Sequence, residues 1–261
     1  MSDFPTRIIC LTEESVELIY LIGLEHKIVG VSGFVKRPEQ AQKLTKVSGF
    51  TSGNVKKIVG LKPDLVLGFS DIQKDLARDL VGEGLNVFIA NHRSLDETLD
   101  YLLMLGRILG DTTRTPALVA AYQGKLRRIG QRGSRFLRKP KVYFEEWDDP
   151  KIAGIQWVSE LIEICGGIDI CRPFQGSLAK QRMIEDRYII EQNPDIILGC
   201  WCGKKVDLES IKQREGWQQV NAVKSNQVFE LEPEIFLQPG PALFEDGLEI
   251  LFDLFQNWQE V

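Results

Sequence analysis

Two stretches, "VKKIVGLKPDLVLGFS" (Val55–Ser70) and "DRYIIEQNPDIILGCW" (Asp186–Trp201), align without a gap, placing Pro63-Asp64 on Pro194-Asp195 and Gly68 on Gly199. In both, proline disfavours helical geometry in the residue before it, so a helix must end ahead of an x-Pro-Asp turn. A short apolar run bounded by such a turn reads as a buried strand. The segments "GLNVFIA" and "SNQVFEL" supply the next strand in each copy. The repeat distance is about 131 residues, half of the 261-residue chain, which predicts two similar lobes and excludes a short-period solenoid.

The first hundred residues alternate strand and helix signals. "RIICL" (Arg7–Leu11), "KIVGVS", "LVLGF" (Leu65–Phe69) and "NVFIA" (Asn86–Ala90) read as strands. Between them Val16, Ile19, Tyr20 and Gly23 follow helical spacing, and Ser94 with Glu97 forms a capping-box pattern. Such alternation predicts an α/β fold with mostly parallel sheets. The segment "TPALVAAYQGKLRRIGQRGS" reads as one long helix joining the lobes, with Pro116 at its start and glycines toward its end. It leads into the strand "KVYFE" (Lys141–Glu145). The expected organisation is residues 1–112 as an N-terminal lobe, 113–138 as the connecting helix and 139–261 as a C-terminal lobe. That last lobe closes with a helix after Pro241 carrying the stripe Leu248, Leu251, Phe255 and Trp258.

Charge and cysteine usage narrow the function classes. A net charge of −5 makes the electrostatic contribution repulsive overall for nucleic acid, so no nucleic-acid partner is expected. The basic run "KLRRIGQRGSRFLRKPK" is read as a solvated outer face of the linking helix. No apolar run is long enough to span a membrane. "MSDFPTRIICL" passes from Met1 almost directly into a strand without a leader pattern, so the expectation is a cytoplasmic protein, or an extracytoplasmic one if a leader has been removed. Five cysteines without framework spacing fit a reducing compartment.

In open α/β sheets ligands sit beyond the carboxyl ends of the strands. The candidates are therefore Thr12-Glu13-Glu14, Phe69-Ser70-Asp71, Asn91-His92-Arg93, Glu145-Glu146-Trp147-Asp148, Trp201-Cys202-Gly203-Lys204-Lys205 and Pro233-Glu234-Ile235-Phe236. A tryptophan just past a strand is costly to expose unless it covers something, which favours a ligand role for Trp147 and Trp201. Trp157 reads instead as the core face of its helix. Only His26 and His92 accompany the cysteines, so a structural zinc site is not expected. Cys200 reads as a small buried hydrophobe. Cys202, beside Gly203 and two lysines, is expected to have a lowered pKa; it is a soft ligand to a metal inside a chelate, a redox-sensitive thiol, or an ordinary loop cysteine. The acids Glu145, Glu146, Asp148 and Asp149 suit a hard cation, against which stands the reading that two of them cap the following helix.

At this point the pieces resemble a known family. "SGFTSGNVKKIVGLKPDLVLGFSD", with its core Asn54–Leu67, resembles the class III solute-binding proteins that serve cobalamin, ferric-siderophore and haem importers, most nearly the vitamin B12-binding branch. The segments "EEWDDP", "WVSELIEICGG" and "WCGKK" resemble a subgroup of that branch. The resemblance implies two Rossmann-like lobes joined by one stiff helix, with a corrinoid or iron chelate held between them by aromatic side chains. Carried onto this sequence, it points to Phe50 and Phe69 from the first lobe and to Trp147, Trp201 and Phe236 from the second. Thr51, Glu145, Cys202 and Lys204 complete the candidate ligand-binding set. It further implies acids that meet an ABC permease, at Asp75 (or Lys74 in its place) and at Glu234, no intrinsic cofactor, and a monomer or weak dimer. The alternative class is a small-molecule enzyme using Cys202 as nucleophile or metal ligand, with Lys204 or Arg182 holding an anion. Against it, no Ser/His/Asp or Cys/His arrangement and no Gly-rich phosphate loop is recognisable.

Overall fold

The computed structural model describes residues 4–174 and 176–260. Their contacts resolve into two compact units. One comprises the described residues through His92, Asp96–Ala121 and Gln238–Ala242; the other comprises Arg93–Leu95, Tyr122–Leu237 and the described residues from Leu243 on. The helix Arg114–Gly133 gives its residues to both, through Ala121 to the first and from Tyr122 to the second.

The first unit is built on β1 (Ile8–Cys10), β2 (Ile28–Ser32), β3 (Lys46–Ser48), β4 (Leu65–Phe69) and β5 (Val87–Ala90), in the order β3-β2-β1-β4-β5 with every pairing parallel. The order reverses between β1 and β4, and that is where a doubly wound sheet opens a crevice at its carboxyl edge. The helix Lys74–Gly82 buries Leu76 and Leu80, which join Ile9, Leu11, Val47, Ile58 and Val66 in one apolar cluster. The second unit holds β6 (Lys141–Asp148), β7 (Lys151–Ala153), β8 (Ile168–Asp169), β9 (Ile196–Gly199) and β10 (Val228–Glu230). Its order is β10-β9-β6-β7, with β8 parallel to the start of β6 and β7 antiparallel to its end. Tyr143, Ile189, Ile197, Trp201 and Trp217 lie together in one apolar cluster of this unit.

The sequence repeat has a structural counterpart in both units. The helices Val55–Gly60 and Asp186–Gln192 end just before residues with φ of 49°, Lys62 and Asn193, which fall on each other in the alignment. Each x-Pro-Asp turn then delivers its aspartate to the chain entering the central strand. The Asp64 carboxylate accepts from the Thr6 N–H (2.8 Å), the Thr6 hydroxyl (2.8 Å) and the Arg7 N–H (3.0 Å), and Asp195 accepts from the Lys141 N–H (2.9 Å). The backbone returns the bond each time, Asp64 N–H to the Arg7 carbonyl and Asp195 N–H to that of Lys141. The aligned glycines share a reason as well: a Cβ on Gly68 would lie 2.5 Å from the Gln73 amide oxygen, and one on Gly199 2.6 Å from a Val206 methyl.

The C-terminal helix Leu248–Gln259 buries Leu248, Leu251, Phe252 and Phe255, while Trp258 stays half-buried with the Arg138 guanidinium 5.1 Å from its ring. Part of the basic run is therefore occupied. Arg132 lies 4.0 Å from the Phe252 ring, and Lys125 donates to the Glu245 carbonyl at 2.6 Å and pairs with Glu249 at 3.5 Å. The expected solvated face is corrected to that extent, because arginine stems and guanidinium planes pack on aromatic rings as readily as they face water. Among the described residues no helix is long and apolar enough to cross a membrane.

Candidate functional site

In the first unit the acids past β1 serve the fold. Glu13 accepts from the backbone N–H groups of Lys36 (3.1 Å) and Arg37 (2.5 Å), and Glu17 pairs with the Arg37 guanidinium (2.6 Å) and accepts from the Ala242 N–H (3.2 Å). Glu14 is fully buried and accepts the Thr12 hydroxyl at 2.5 Å; burial pushes its carboxyl up to about 7. Beyond β5, His92 Nε2 lies 2.8 Å from the Pro239 carbonyl oxygen, and its ring stacks on Tyr101 at 4.5 Å and meets Phe69 edge-on at 4.9 Å. Ser70 adopts φ 70°, ψ 162°, a conformation that costs energy for any residue with a Cβ, and its hydroxyl accepts from the Ile72 N–H.

Of the first-unit ligand candidates, Phe50 and Phe69 are half-buried and Thr51 is exposed. What brings two of them together is a residue that sequence reading passed over. Gln73, 1% exposed, accepts the Phe69 N–H at 3.0 Å and donates to the carbonyls of Phe50 (2.9 Å) and Leu11 (3.4 Å). The only sequence signal for it is Gly68, the glycine that makes room for the amide.

In the second unit Glu145 is 0% exposed and receives four hydrogen bonds: two from Arg214 (2.6 and 2.8 Å), one from the Tyr143 hydroxyl (3.0 Å) and one from the Trp201 indole (3.1 Å). A buried carboxylate so supplied is a structural anchor, and Glu145 is corrected from ligand contact to support. Trp201 is 2% exposed, part of the core cluster, so its expected open face is also corrected: the indole turns inward to satisfy Glu145. Phe236, at 0% exposure at the end of the helix Pro233–Phe236, packs inside, and its carbonyl accepts the Trp157 indole at 2.8 Å. Trp157 is indeed on the core face of its helix.

Cys202 and Lys204 are exposed, and Trp147 is half-buried against the core cluster. Its indole donates to the Asp149 carbonyl. The Lys204 ammonium sits 4.3 Å from the Trp147 ring centre, 4.7 Å from that of Trp201, and 2.7 Å from an Asp148 oxygen. Burial alone would raise the Asp148 carboxyl, but the Lys204 hydrogen bond and charge together with backbone N–H donors outweigh it and hold it below its ordinary value. Lys204 is thus not a spare anion contact. Nor is Arg182, which is buried against the Glu146 carboxylate (2.5 and 3.1 Å) and the Ala153 carbonyl. The expected lowering of the Cys202 pKa is overturned: partial burial, then the Glu146 carboxylate, push its thiol up, while the nearby lysine is engaged with Asp148. Cys200 is buried. Among the described residues no group of three or more His, Cys, Asp and Glu is placed to hold a metal ion. The docking acids each lie in the first turn of a helix, Asp75 exposed with Arg78 at 3.1 Å and Glu234 half-buried.

With this geometry in hand, comparison with known proteins is decisive at the level of family. The sequence pattern of the periplasmic binding protein family matches residues 8–235, and the chain belongs to that family. YvrC of Bacillus subtilis (strain 168), an uncharacterized ABC transporter substrate-binding lipoprotein, is 27% identical over 262 residues, covering 97% of this chain and 81% of the relative. A vitamin B12-binding protein of Vibrio vulnificus (strain YJ016) is 27% identical over 236 residues, 81% of each chain. A possible iron-binding (periplasmic solute-binding) protein of Staphylococcus epidermidis ATCC 12228 has the same fold, with a TM-score of 0.80, 24% identity and coverage of 96% of this chain and 98% of its own. The resemblance carried by "SGFTSGNVKKIVGLKPDLVLGFSD" and the mostly parallel α/β fold it implied are borne out. Relatives and fold neighbours are substrate-binding proteins, and the enzyme alternative built on Cys202 is set aside on that ground.

Proposed function

We propose that this chain is the substrate-binding component of an ABC-type importer and that its ligand is a corrinoid or a closely related metal chelate. The observation that carries the ligand class is the half-buried indole of Trp147, fixed by its bond to the Asp149 carbonyl and by the Lys204 ammonium 4.3 Å from its ring centre. A rigid aromatic plane suits the apolar face of a macrocycle, and aromatic contacts of this kind add about 1 kcal/mol beyond the area they bury. Phe50 and Phe69 in the first unit extend that chemistry. Cys202 is an exposed free thiol, and in this reading it coordinates the chelated metal, which would displace its proton. The vitamin B12-binding relatives support the corrinoid reading. The lipoprotein relative supports a site of action outside the cytoplasmic membrane; the cytoplasmic expectation has no comparable support. In this reading Asp75 and Glu234 face basic residues of a permease.

The test is spectroscopic. Dicyanocobinamide added to the purified chain quenches tryptophan fluorescence and shifts the visible bands of the corrin, and Trp147→Ala weakens binding about tenfold. Cys202→Ser abolishes the part of the shift that reports axial thiolate. Unchanged emission and spectrum at micromolar cobinamide would remove the corrinoid claim. A response to a ferric chelate in its place would keep the importer reading with a different ligand.

A further inference from the structure

The strand-end surface of the first unit depends on one buried amide. Gln73 lies in the short turn Asp71–Gln73, directly after the strained Ser70, and its side chain reaches back under the ends of two adjacent strands and the loop after β3. Its three hydrogen bonds tie together segments far apart in the sequence: the Leu11 carbonyl past β1, the Phe50 carbonyl in the loop, and the Phe69 N–H at the end of β4. Oε1 faces an N–H and Nε2 faces two carbonyls, so the orientation of the amide is fixed by its partners. A carboxylate there would set an oxygen against two carbonyl oxygens, and an apolar side chain would leave buried backbone groups unpaired. Gly68 is part of the device, since any Cβ at that position collides with the amide oxygen. The aligned Gly199 of the second unit admits a Val206 methyl instead, so the amide belongs to the first unit's surface and is not a general requirement of the repeat.

We propose that Gln73 is a positioning residue for ligand selection: it fixes Phe50 and Phe69 relative to each other, without itself being the contact, so that the pair presents a preformed apolar plane. This rests on the reading of Phe50 and Phe69 as ligand contacts. Preorganisation of this kind acts mainly on the dissociation rate, because the ordering cost of the loop is met before the ligand arrives.

Two variants and two readouts test it on the intact chain. Gln73→Met, similar in size and without hydrogen bonds, raises amide hydrogen exchange at Phe69 and in the 49–53 loop about tenfold, with or without ligand. It also raises the dissociation rate of dicyanocobinamide about tenfold. Gln73→Glu keeps the acceptor for Phe69 but loses the donor to Phe50 while ionised, so its dissociation rate falls back toward the wild-type value as pH drops from about 8 to about 5 and the carboxyl regains a proton. The wild-type rate stays flat over that range. A role in folding alone would not produce this recovery. Exchange in Gln73→Met equal to wild type overturns the clamp, and so does a loosened loop with an unchanged dissociation rate. Wild-type protein that takes up no cobinamide contradicts the ligand reading, and the exchange measurement then decides the clamp by itself.

Discussion

Glu14 and Glu145 are both fully buried, yet their partners give them opposite roles. Glu145 receives four hydrogen bonds, two of them from an arginine, whereas Glu14 accepts one hydroxyl, and its second oxygen has no partner. Burial therefore moves the Glu14 carboxyl from 4.5 to about 7. A carboxyl whose folded pKa lies above its unfolded value binds extra protons in the folded state, so stability falls as pH rises from about 4.5 to about 7 and stays lower above that. The shift corresponds to about 3 kcal/mol at full burial. Urea unfolding of wild type and Glu14→Gln at pH 5 and pH 8 is expected to show the variant gaining up to about 3 kcal/mol relative to wild type between the two conditions; parallel behaviour would show that Glu14 titrates normally. The sequence made Thr12-Glu13-Glu14 visible as strand-end residues. It could not show that Lys36, Arg37 and Ala242 fill the acceptor capacity of Glu13 and Glu17, because those partners are distant in the chain. Cys202 failed for the same reason, since its outcome turned on burial and on the Glu146 carboxylate, which belongs to a distant part of the chain.

The elements best read in advance were those of the repeat. "LVLGF" is β4 to the residue, and "DIILG" contains β9, because a proline turn and a buried apolar run act locally. The strands β3, β7 and β8 were not legible: they have two or three residues each, and their pairing is imposed by neighbours that the sequence does not place. Asp64 and Asp195 make the repeat more than a pattern, since each stitches a turn to the incoming strand. Hydrogen bonds from Thr6 and Arg7 outweigh burial and hold the Asp64 carboxyl below its ordinary value, so its contribution is present at neutral pH and is lost as pH falls through that lowered value. Asp64→Asn and Asp195→Asn are each expected to cost about 1–2 kcal/mol, nearly additively because they share no partner. Thermal unfolding of the single and double variants checks this; a double variant no weaker than either single one would contradict the equivalence of the two turns.

For the molecule as a whole, alternation of elements gave the α/β class. The family followed from a motif that the comparisons confirmed over residues 8–235. Ligand identity was not legible in the same way, since flat corrinoids and iron chelates ask for the same aromatic residues and differ in contacts that alternation and spacing do not encode. The direct measurement is a calorimetric titration of the intact chain with dicyanocobinamide at several temperatures. The account predicts one ligand per chain, a Kd of about 1 μM or below, and a negative heat-capacity change from apolar burial on Phe50, Phe69 and Trp147. Absence of heat at every temperature, with micromolar protein and ligand, would contradict it.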